Sequence, residues 1–234
     1  MRHSSVHGRR SDAPRSDARR EPLVIATGNP GKLREFRELL ADLPFDVVGL
    51  SDLGCDAPEE TGSSFLENAV LKARHAAKAA HAAAIADDSG LEVDALGGAP
   101  GLYSARYAGA GADDAANNAK LLAALKASPL QSRSARYRCA LVFVAGESDP
   151  APLTAEGVWE GRIVDSPRGS AGFGYDPYFW LPELGMTAAE LSPAEKNLRS
   201  HRGMALRALR GRLAAHGQSA MPRPWDAIKA RRSE

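Results

Sequence analysis

The sequence predicts an α/β fold in which helices alternate with the strands of a mixed sheet. Short apolar runs typical of buried strands alternate along the chain with segments whose apolar residues recur at helical spacing. The chain contains no internal repeat, which argues against a repeat architecture. Polar residues that suggest chemistry closely follow the predicted strands, as expected for a site at the strand ends of an open α/β sheet.

The first predicted strand comprises residues 23–26 and ends in a tight turn that starts a helix. Asn29 suits the N-cap of this helix, and Pro30 suits its first position because proline lacks an N–H that would be unpaired there. Residues 45–50 form the second predicted strand.

The middle of the chain predicts a helix and a strand that lead into a pair of acidic residues. The helix should begin after Ser64, where Ser-Phe-Leu-Glu is a capping-box pattern, and should end near His81. The strand comprises residues 84–86, and we expect it to end before Asp87 and Asp88.

The second half of the chain predicts a helix at about 117–125, neighbouring strands at 137–144 and 154–159, and one final helix. The final helix should begin at Ser192, which is followed by a proline and, at the third helical position, by a glutamate.

Composition excludes several classes of protein. The 234 residues are 44% hydrophobic with a formal net charge of +1, so the chain has no overall attraction to nucleic acid or to anionic membranes. It contains no apolar run long enough to span a bilayer. Cys55 and Cys139 have no metal-ligand spacing, and we expect both to be reduced thiols of a cytoplasmic protein.

We expect one globular domain at residues 22–214. Residues 1–21 are basic and lack the apolar segment of a secretory signal, so they are interpreted as a disordered leader. Residues 215–234 are interpreted as a polar tail.

The turn after the first strand is typical of phosphate binding, because a helix start and a lysine can both face phosphate oxygens. It is not a Walker A loop, since its spacing is shorter and a leucine follows the lysine. No GxGxxG follows a strand, which disfavours a dinucleotide cofactor. The candidate phosphate-binding residues are Thr27, Gly28, Asn29, Pro30, Gly31 and Lys32.

Two acidic pairs could supply the oxygen ligands that Mg²⁺ prefers. One pair is Asp87 and Asp88, and the other is Glu59 and Glu60. Neighbouring residues of an extended chain point to opposite faces, so only one aspartate is expected to face the site.

A glycine-flanked loop supplies aromatic rings and a carboxylate that could bind a nucleobase by stacking and at its edge. Its candidate residues are Phe173, Gly174, Tyr175 and Asp176.

Taken together, these motifs resemble the inosine-triphosphate pyrophosphatase family. The resemblance covers residues 23 to about 213 and rests on several motifs in family order: TGNPGK, EETG, FLENA, KA, ADDSGL, GGAPG, YSARY, GFGYDP, AEKN and SHRG. The joint match is far more specific than any single motif. It implies an elongated mixed sheet with flanking helices in two lobes, an active-site cleft between the lobes, and a homodimer.

The resemblance also implies roles for particular residues. The turn from Thr27 to Lys32 would bind the triphosphate. Asp88 would be the general base and a metal ligand, so its neighbour Asp87 is expected to point away from the site. Glu60 would be the second metal ligand, with Glu59 as the alternative. Further substrate contacts would come from Ser89, Phe173, Gly174, Tyr175, Asp176, Lys196, His201 and Arg202.

The implied activity is Mg²⁺-dependent hydrolysis of inosine, deoxyinosine and xanthosine triphosphates to the monophosphate and pyrophosphate, without stable binding of nucleic acid or membrane. Two alternatives are a related hydrolase of other modified nucleotides and a non-enzymatic nucleotide- or RNA-binding module. For base selection, we expect Arg202 or an imidazolium at His201 to donate to the 6-oxo group that adenine lacks.

Overall fold

The computed structural model describes residues 21–43 and 45–218. The predicted leader and polar tail therefore lie largely outside the described residues. The first strand begins at Glu21 and the last helix ends at Gln218, so both elements extend slightly beyond the expected limits of 22 and 214.

The described chain forms a seven-stranded mixed sheet flanked by helices, which confirms the predicted fold class. The strand order is β2-β1-β3-β4-β5-β6-β7. The first three strands of this order are parallel and the remaining pairs are antiparallel. The strands are β1 (Glu21–Ala26), β2 (Phe45–Gly49), β3 (Ala83–Val93), β4 (Ser134–Val144), β5 (Leu153–Ile163), β6 (Phe179–Leu181) and β7 (Met186–Thr187).

Five α-helices accompany the sheet in the described residues, and the starts of α1, α2 and α4 agree with the capping signals in the sequence. Asn29 caps the first helix by accepting from the N–H groups of Gly31 and Lys32. Ser192 forms the expected capping box of the fourth. The helices are α1 (Pro30–Leu39), α2 (Phe65–Ala80), α3 (Asp114–Leu125), α4 (Pro193–Arg199) and α5 (His201–Gln218).

The start of α2 differs in one detail from the predicted capping box. Ser64 accepts from the Glu67 N–H as expected. The Glu67 carboxylate, however, accepts from the backbone N–H and hydroxyl of Ser63 instead of from Ser64. The reciprocal bond of the capping box is therefore shifted by one residue, from Ser64 to Ser63.

The prediction that the third strand ends before Asp87 is wrong. Strand β3 continues through both aspartates to Val93, although its pairing with β1 stops at Ala86. Beyond that point β4 supplies the hydrogen bonds, since β3 and β4 are paired from Ala84 to Val93. The aspartates therefore lie inside a strand, at the place where the sheet loses β1 as a neighbour.

The prediction of one final helix is also wrong. The backbone of Ser200 is extended and separates α4 from α5. The Ser200 hydroxyl accepts from the Gly203 N–H and so caps the first turn of α5. The bend places Lys196 on one helix and His201 and Arg202 on the next.

The hydrophobic core lies on both faces of one half of the sheet and on one face of the other half. Alternate residues of β1 pack against α2 on one face and against α1 and α5 on the opposite face. A third cluster, around Tyr137, Trp159 and Phe179, fills the half beyond Asp88 together with α3. Strands β3, β4 and β5 run through both halves, in agreement with the expected two-lobed arrangement. No helix of the described residues has the length and hydropathy needed to cross a membrane.

Candidate active site

The two halves of the sheet meet at a narrow cleft that contains residues predicted from separate motifs. The cleft has a volume of about 100 Å³, and Gly31, Phe173 and Lys196 contribute to its lining. The Phe173 ring lies so close to Gly31 that a Cβ atom added there would be 2.5 Å from the ring. The glycine therefore allows the aromatic loop of one half to approach the turn of the other.

The predicted phosphate turn adopts the geometry of a helix start. The Asn29 N–H donates to the Thr27 hydroxyl, and the Asn29 side chain in turn accepts two amides of α1. The turn is thus fixed by its own side chains. Its lysine, Lys32, extends back to β3, where Nζ lies 2.5 Å from Asp87 Oδ1.

Asp87 and Asp88 point to opposite faces of β3, which confirms the alternation expected from an extended chain. The expectation that Asp87 points away from the site is nevertheless wrong, because it contacts Lys32 and Arg202, two of the predicted site residues. The physical reason is that the predicted residues approach β3 from both faces. Asp88 faces a separate cluster that includes Glu60 and Lys72.

On the Asp87 face, a buried carboxylate is surrounded by cations. Asp87 Oδ2 accepts from Nε and Nη2 of Arg202 at 3.1 Å and from the Cys139 thiol at 3.2 Å. Burial opposes ionisation of Asp87, but Arg202 and Lys32 outweigh it and hold the pKa of Asp87 well below its usual range. Arg202 also donates to the Ser89 hydroxyl at 3.0 Å, which places Ser89 in the same network.

A second carboxylate, the half-buried Glu35 of α1, links this cluster to the aromatic loop. Glu35 pairs with Arg202 and lies 2.9 Å from Lys196 Nζ. Lys196 in turn donates to Asp176 Oδ2 at 2.6 Å. The resulting chain of alternating charges runs from Asp87 to Asp176, so each buried charge has a partner.

On the Asp88 face, one lysine holds two carboxylates together. Lys72 Nζ lies 2.6 Å from Asp88 Oδ1 and 3.1 Å from Glu60 Oε1. Asn68 donates to the other oxygen of Asp88, and Arg106 pairs with the other oxygen of Glu60. Burial raises the pKa of Asp88 although the Lys72 ammonium opposes the shift.

Glu60 and Glu59, the two candidates for the second metal ligand, differ in their contacts, and the choice between them stays a prediction. Glu60 meets Asp88 at the same ammonium group, whereas Glu59 is exposed. No group of three or more His, Cys, Asp or Glu side chains is placed to hold a metal within the described ranges. Two converging carboxylates fit Mg²⁺, which commonly takes one or two protein carboxylates and fills its remaining positions with water and substrate phosphate.

The aromatic loop is held by contacts with three other parts of the fold. The Phe173 ring lies under Lys196, with Nζ 4.6 Å from the ring centre. The Tyr175 hydroxyl donates to the Ser104 carbonyl at 2.8 Å. Asp176 accepts from the Phe173 N–H as well as from Lys196, so its visible contacts hold the loop, and its contact with a base stays a prediction.

His201 lies in an environment that disfavours its charged form. Its ring stacks on Tyr137, with the ring centres 4.8 Å apart. Burial and the neighbouring Arg202 hold the pKa of His201 well below its usual range. The expectation of an imidazolium here is therefore wrong: the neutral ring offers one donor and one acceptor.

Among the residues of these clusters that the sequence analysis did not assign to the site are Glu35, Asn68 and Lys72. Glu35 lies one helical turn after Lys32, and Asn68 and Lys72 are four residues apart on α2, so each set shares a helix face. These spacings were visible in the sequence. What the sequence lacked was the packing that brings Asn68 and Lys72 to Asp88 and Glu35 to Lys196 and Arg202.

The fold and the charge clusters on the two faces of β3 define an α/β protein with a highly charged cleft between the two halves of one sheet. Residues 23–212 match the Ham1 family, and the chain belongs to that family. The resemblance inferred from the motifs is thereby confirmed.

Relatives and a solved structure agree with this assignment over nearly their whole length. A protein named dITP/XTP pyrophosphatase from Thioalkalivibrio sulfidiphilus is 58% identical over 191 residues, covering 82% of this chain and 97% of that protein. One of the same name from Pectobacterium atrosepticum is 57% identical over 189 residues, covering 81% and 96%. The structure of a HAM1 protein from Coxiella burnetii has a TM-score of 0.75 at 49% identity, covering 83% of this chain and 99% of that one.

Proposed function

We propose that this chain hydrolyses non-standard purine nucleoside triphosphates (dITP, ITP and XTP) to the nucleoside monophosphate and pyrophosphate, in a Mg²⁺-dependent reaction. By removing these nucleotides, it would keep their bases out of DNA and RNA. The names of its close relatives support the reaction and the substrate class. In the structure, the proposal rests on the buried Asp88, which is joined to Glu60 through Lys72. The neighbouring strand residue, Asp87, contacts the cation Lys32 on the opposite face of β3.

The negative charge of the substrate explains the roles proposed for the basic residues. A triphosphate carries about four negative charges, which must be offset before water can approach phosphorus. Gly31 and Lys196 line the cleft. Lys32, Lys196 and the helix start from Thr27 to Gly31 would bind the phosphate oxygens. The Phe173 loop would bind the base and sugar.

Asp88 is suited to accept a proton from the attacking water. A carboxylate with an ordinary pKa is a weak base, and burial raises the pKa of Asp88. Water attacks the α-phosphorus, its proton passes to Asp88, and the bond to the bridging oxygen breaks to release pyrophosphate. When bound by Glu60 and Asp88, Mg²⁺ would supply charge neutralisation and acidify its bound water.

Product analysis tests the reaction. The purified protein is incubated with dITP and Mg²⁺, and the products are separated and quantified. We expect one dIMP and one pyrophosphate per substrate, and no turnover after chelation of the metal. Orthophosphate with a diphosphate product would show that the bond is cut elsewhere, and faster turnover of other modified nucleotides in a substrate panel would favour the related hydrolase.

Two neighbouring glutamates provide a matched test of the metal site. Glu60→Gln should raise the Mg²⁺ concentration needed for half-maximal activity by about 10-fold, since one of two carboxylate ligands is lost. Glu59→Gln should leave that concentration unchanged because Glu59 is exposed and makes no contact with Asp88. Equal effects in both variants would remove Glu60 from the site.

Base selection is proposed to depend on Arg202 through its network. Arg202 is almost fully buried and donates to Asp87, Glu35 and Ser89. These contacts support a role in which Arg202 orients Ser89 directly and Lys32 through Asp87, in addition to any direct contact with the base. ATP should be a poor substrate. If Arg202→Lys leaves the ratio of kcat/KM for ITP and ATP unchanged, Arg202 does not contribute to selection.

The remaining expectations are proposals as well: a homodimer in the cytoplasm, with a nucleotide as its partner and no stable contact with nucleic acid. Light scattering on the purified protein measures the first, and a mass of about one chain would contradict it.

A further inference from the structure

Helix α3 supplies none of the residues predicted for the site, yet it holds the loop that carries four of them. Asp114 and Asn118 lie four residues apart and therefore share one face of the helix. The Gly174 N–H donates to Asp114 Oδ2 at 2.6 Å, and Asn118 Nδ2 donates to the Gly174 carbonyl at 2.8 Å. Both backbone groups of one loop residue are thus fixed from the same helix.

The orientation of the Asn118 amide follows from its partners. Nδ2 donates to two carbonyl oxygens, those of Gly174 and Asp114. A flipped amide would place oxygen against oxygen at both contacts, so only the nitrogen can face them. This arrangement leaves Asn118 Oδ1 buried without a hydrogen-bond partner in the described structure, which is unfavourable.

The two hydrogen bonds from α3 act on the loop residue with the greatest conformational freedom, Gly174. Its φ of +64° is in the left-handed region, which glycine enters as easily as other conformations and from which it can as easily leave. External contacts are therefore needed to keep it there. The residue before it, Phe173, lies against Gly31 and under Lys196, so the position of Gly174 sets how the aromatic ring meets the phosphate turn.

We propose that Asp114 and Asn118 are positioning residues that clamp Gly174 and thereby hold Phe173 in place to bind the nucleoside part of the substrate. The proposal rests on the proposed function. Neither residue touches the substrate. Their loss should raise KM and leave the chemical step at Asp88 nearly unchanged, since the loop must then be ordered by each substrate that binds.

The Asn118→Leu variant separates this role from a purely structural one. Leucine has a similar size and removes the unpaired buried oxygen, and water can bind the half-buried Gly174 carbonyl that loses its donor, so Tm should change little. KM for dITP should nevertheless increase about 5-fold, the effect expected from one lost hydrogen bond, with kcat within about 2-fold of wild type. If Asn118 had only a structural role, KM would rise only together with a fall in Tm.

Two further variants complete the test. Asp114→Ala removes the other contact from an exposed position and should also raise KM, and in combination with Asn118→Leu the increase should be less than the product of the two single effects. Asp113→Ala is the matched control: Asp113 caps α3 through the Ala116 N–H and does not contact Gly174. It should weaken the start of the helix without changing KM.

The outcomes distinguish the clamp from the proposed function. An unchanged KM in both Asp114→Ala and Asn118→Leu would overturn the clamp, as would an equal rise in Asp113→Ala. If Asn118→Leu does not fold, Asp114→Ala and its control decide. The dissociation constant of dIMP, measured by calorimetry on the same proteins, gives a second readout that requires no turnover. If the wild type binds dIMP but releases no pyrophosphate from dITP, the proposed function alone is overturned. If it neither binds dIMP nor hydrolyses dITP, the proposed function and the clamp are both overturned.

Discussion

Asp87 and Asp88 are neighbours in the chain but have opposite ionisation environments. Asp87 lies between two cations, which outweigh its burial and hold its pKa well below the usual range. Asp88 shares one ammonium with Glu60, and burial raises its pKa. Two acids of the same type are thereby separated into a permanent anion that organises Lys32 and Arg202 and a base that can accept a proton.

The role of Asp88 is tested by Asp88→Asn. The amide keeps the size of the side chain but accepts no proton from water, so kcat should fall by about 100-fold or more. Steady-state kinetics with dITP measures the effect, with circular dichroism as a check of folding. A kcat close to that of wild type would refute the assignment of the base.

Asp87→Asn should instead act on stability in a pH-dependent way. The folded-state pKa of Asp87 is below its unfolded value of about 3.9, so its contribution is fully present above that pH and is lost as the pH falls through the folded-state pKa. At pH 7 the variant leaves Arg202 and Lys32 without their shared anion, and the free energy of unfolding should fall by about 3–5 kcal/mol.

Urea unfolding of both proteins between pH 7 and pH 3 measures this linkage. The difference between wild type and Asp87→Asn should be constant from pH 7 to about pH 5 and should shrink at lower pH. A difference that does not depend on pH would show that the ion pairs of Asp87 contribute nothing to stability.

At the scale of elements, the approach of α5 to the sheet places His201 and Arg202. The helix crosses β5 at Gly157, where a Cβ atom would overlap the carbonyl oxygen of His201. Because the obstacle is backbone, no side-chain rotation can relieve it. The glycine therefore sets the distance between the helix and the strand.

Gly157→Ala should lower the free energy of unfolding by about 1–3 kcal/mol, the usual range for overpacking, and should reduce activity by displacing Arg202. Gly146→Ala is the control, since a Cβ atom there has no neighbour within 4 Å. Thermal unfolding of the pair measures the effect, and equal Tm values would contradict the close approach.

At the scale of the whole molecule, the first strand has both of its sheet neighbours among the described residues. The first strand, β1, is paired on both sides by β2 and β3, and the family match begins at residue 23. Deletion of residues 1–20 should therefore leave Tm and kcat/KM for dITP unchanged. A fall of several degrees in Tm would show that these residues contribute to the fold.

The sequence by itself determined the features that depend on neighbours in the chain. Capping at Asn29 and Ser192 and the alternation at Asp87 and Asp88 were all predicted, because each involves residues within one helical turn or one strand. The motif order also identified the family, since each motif keeps its local geometry.

Tertiary structure decided what depends on contacts between distant segments. Strand β3 continues past Asp87 because β4 pairs with it, and no local pattern specifies that partner. Glu35 and Lys72 become site residues only when burial removes water from their charges and leaves other side chains as their partners. The same desolvation lowers the pKa of His201 and raises that of Asp88, because the stability of a charge depends on everything packed around it.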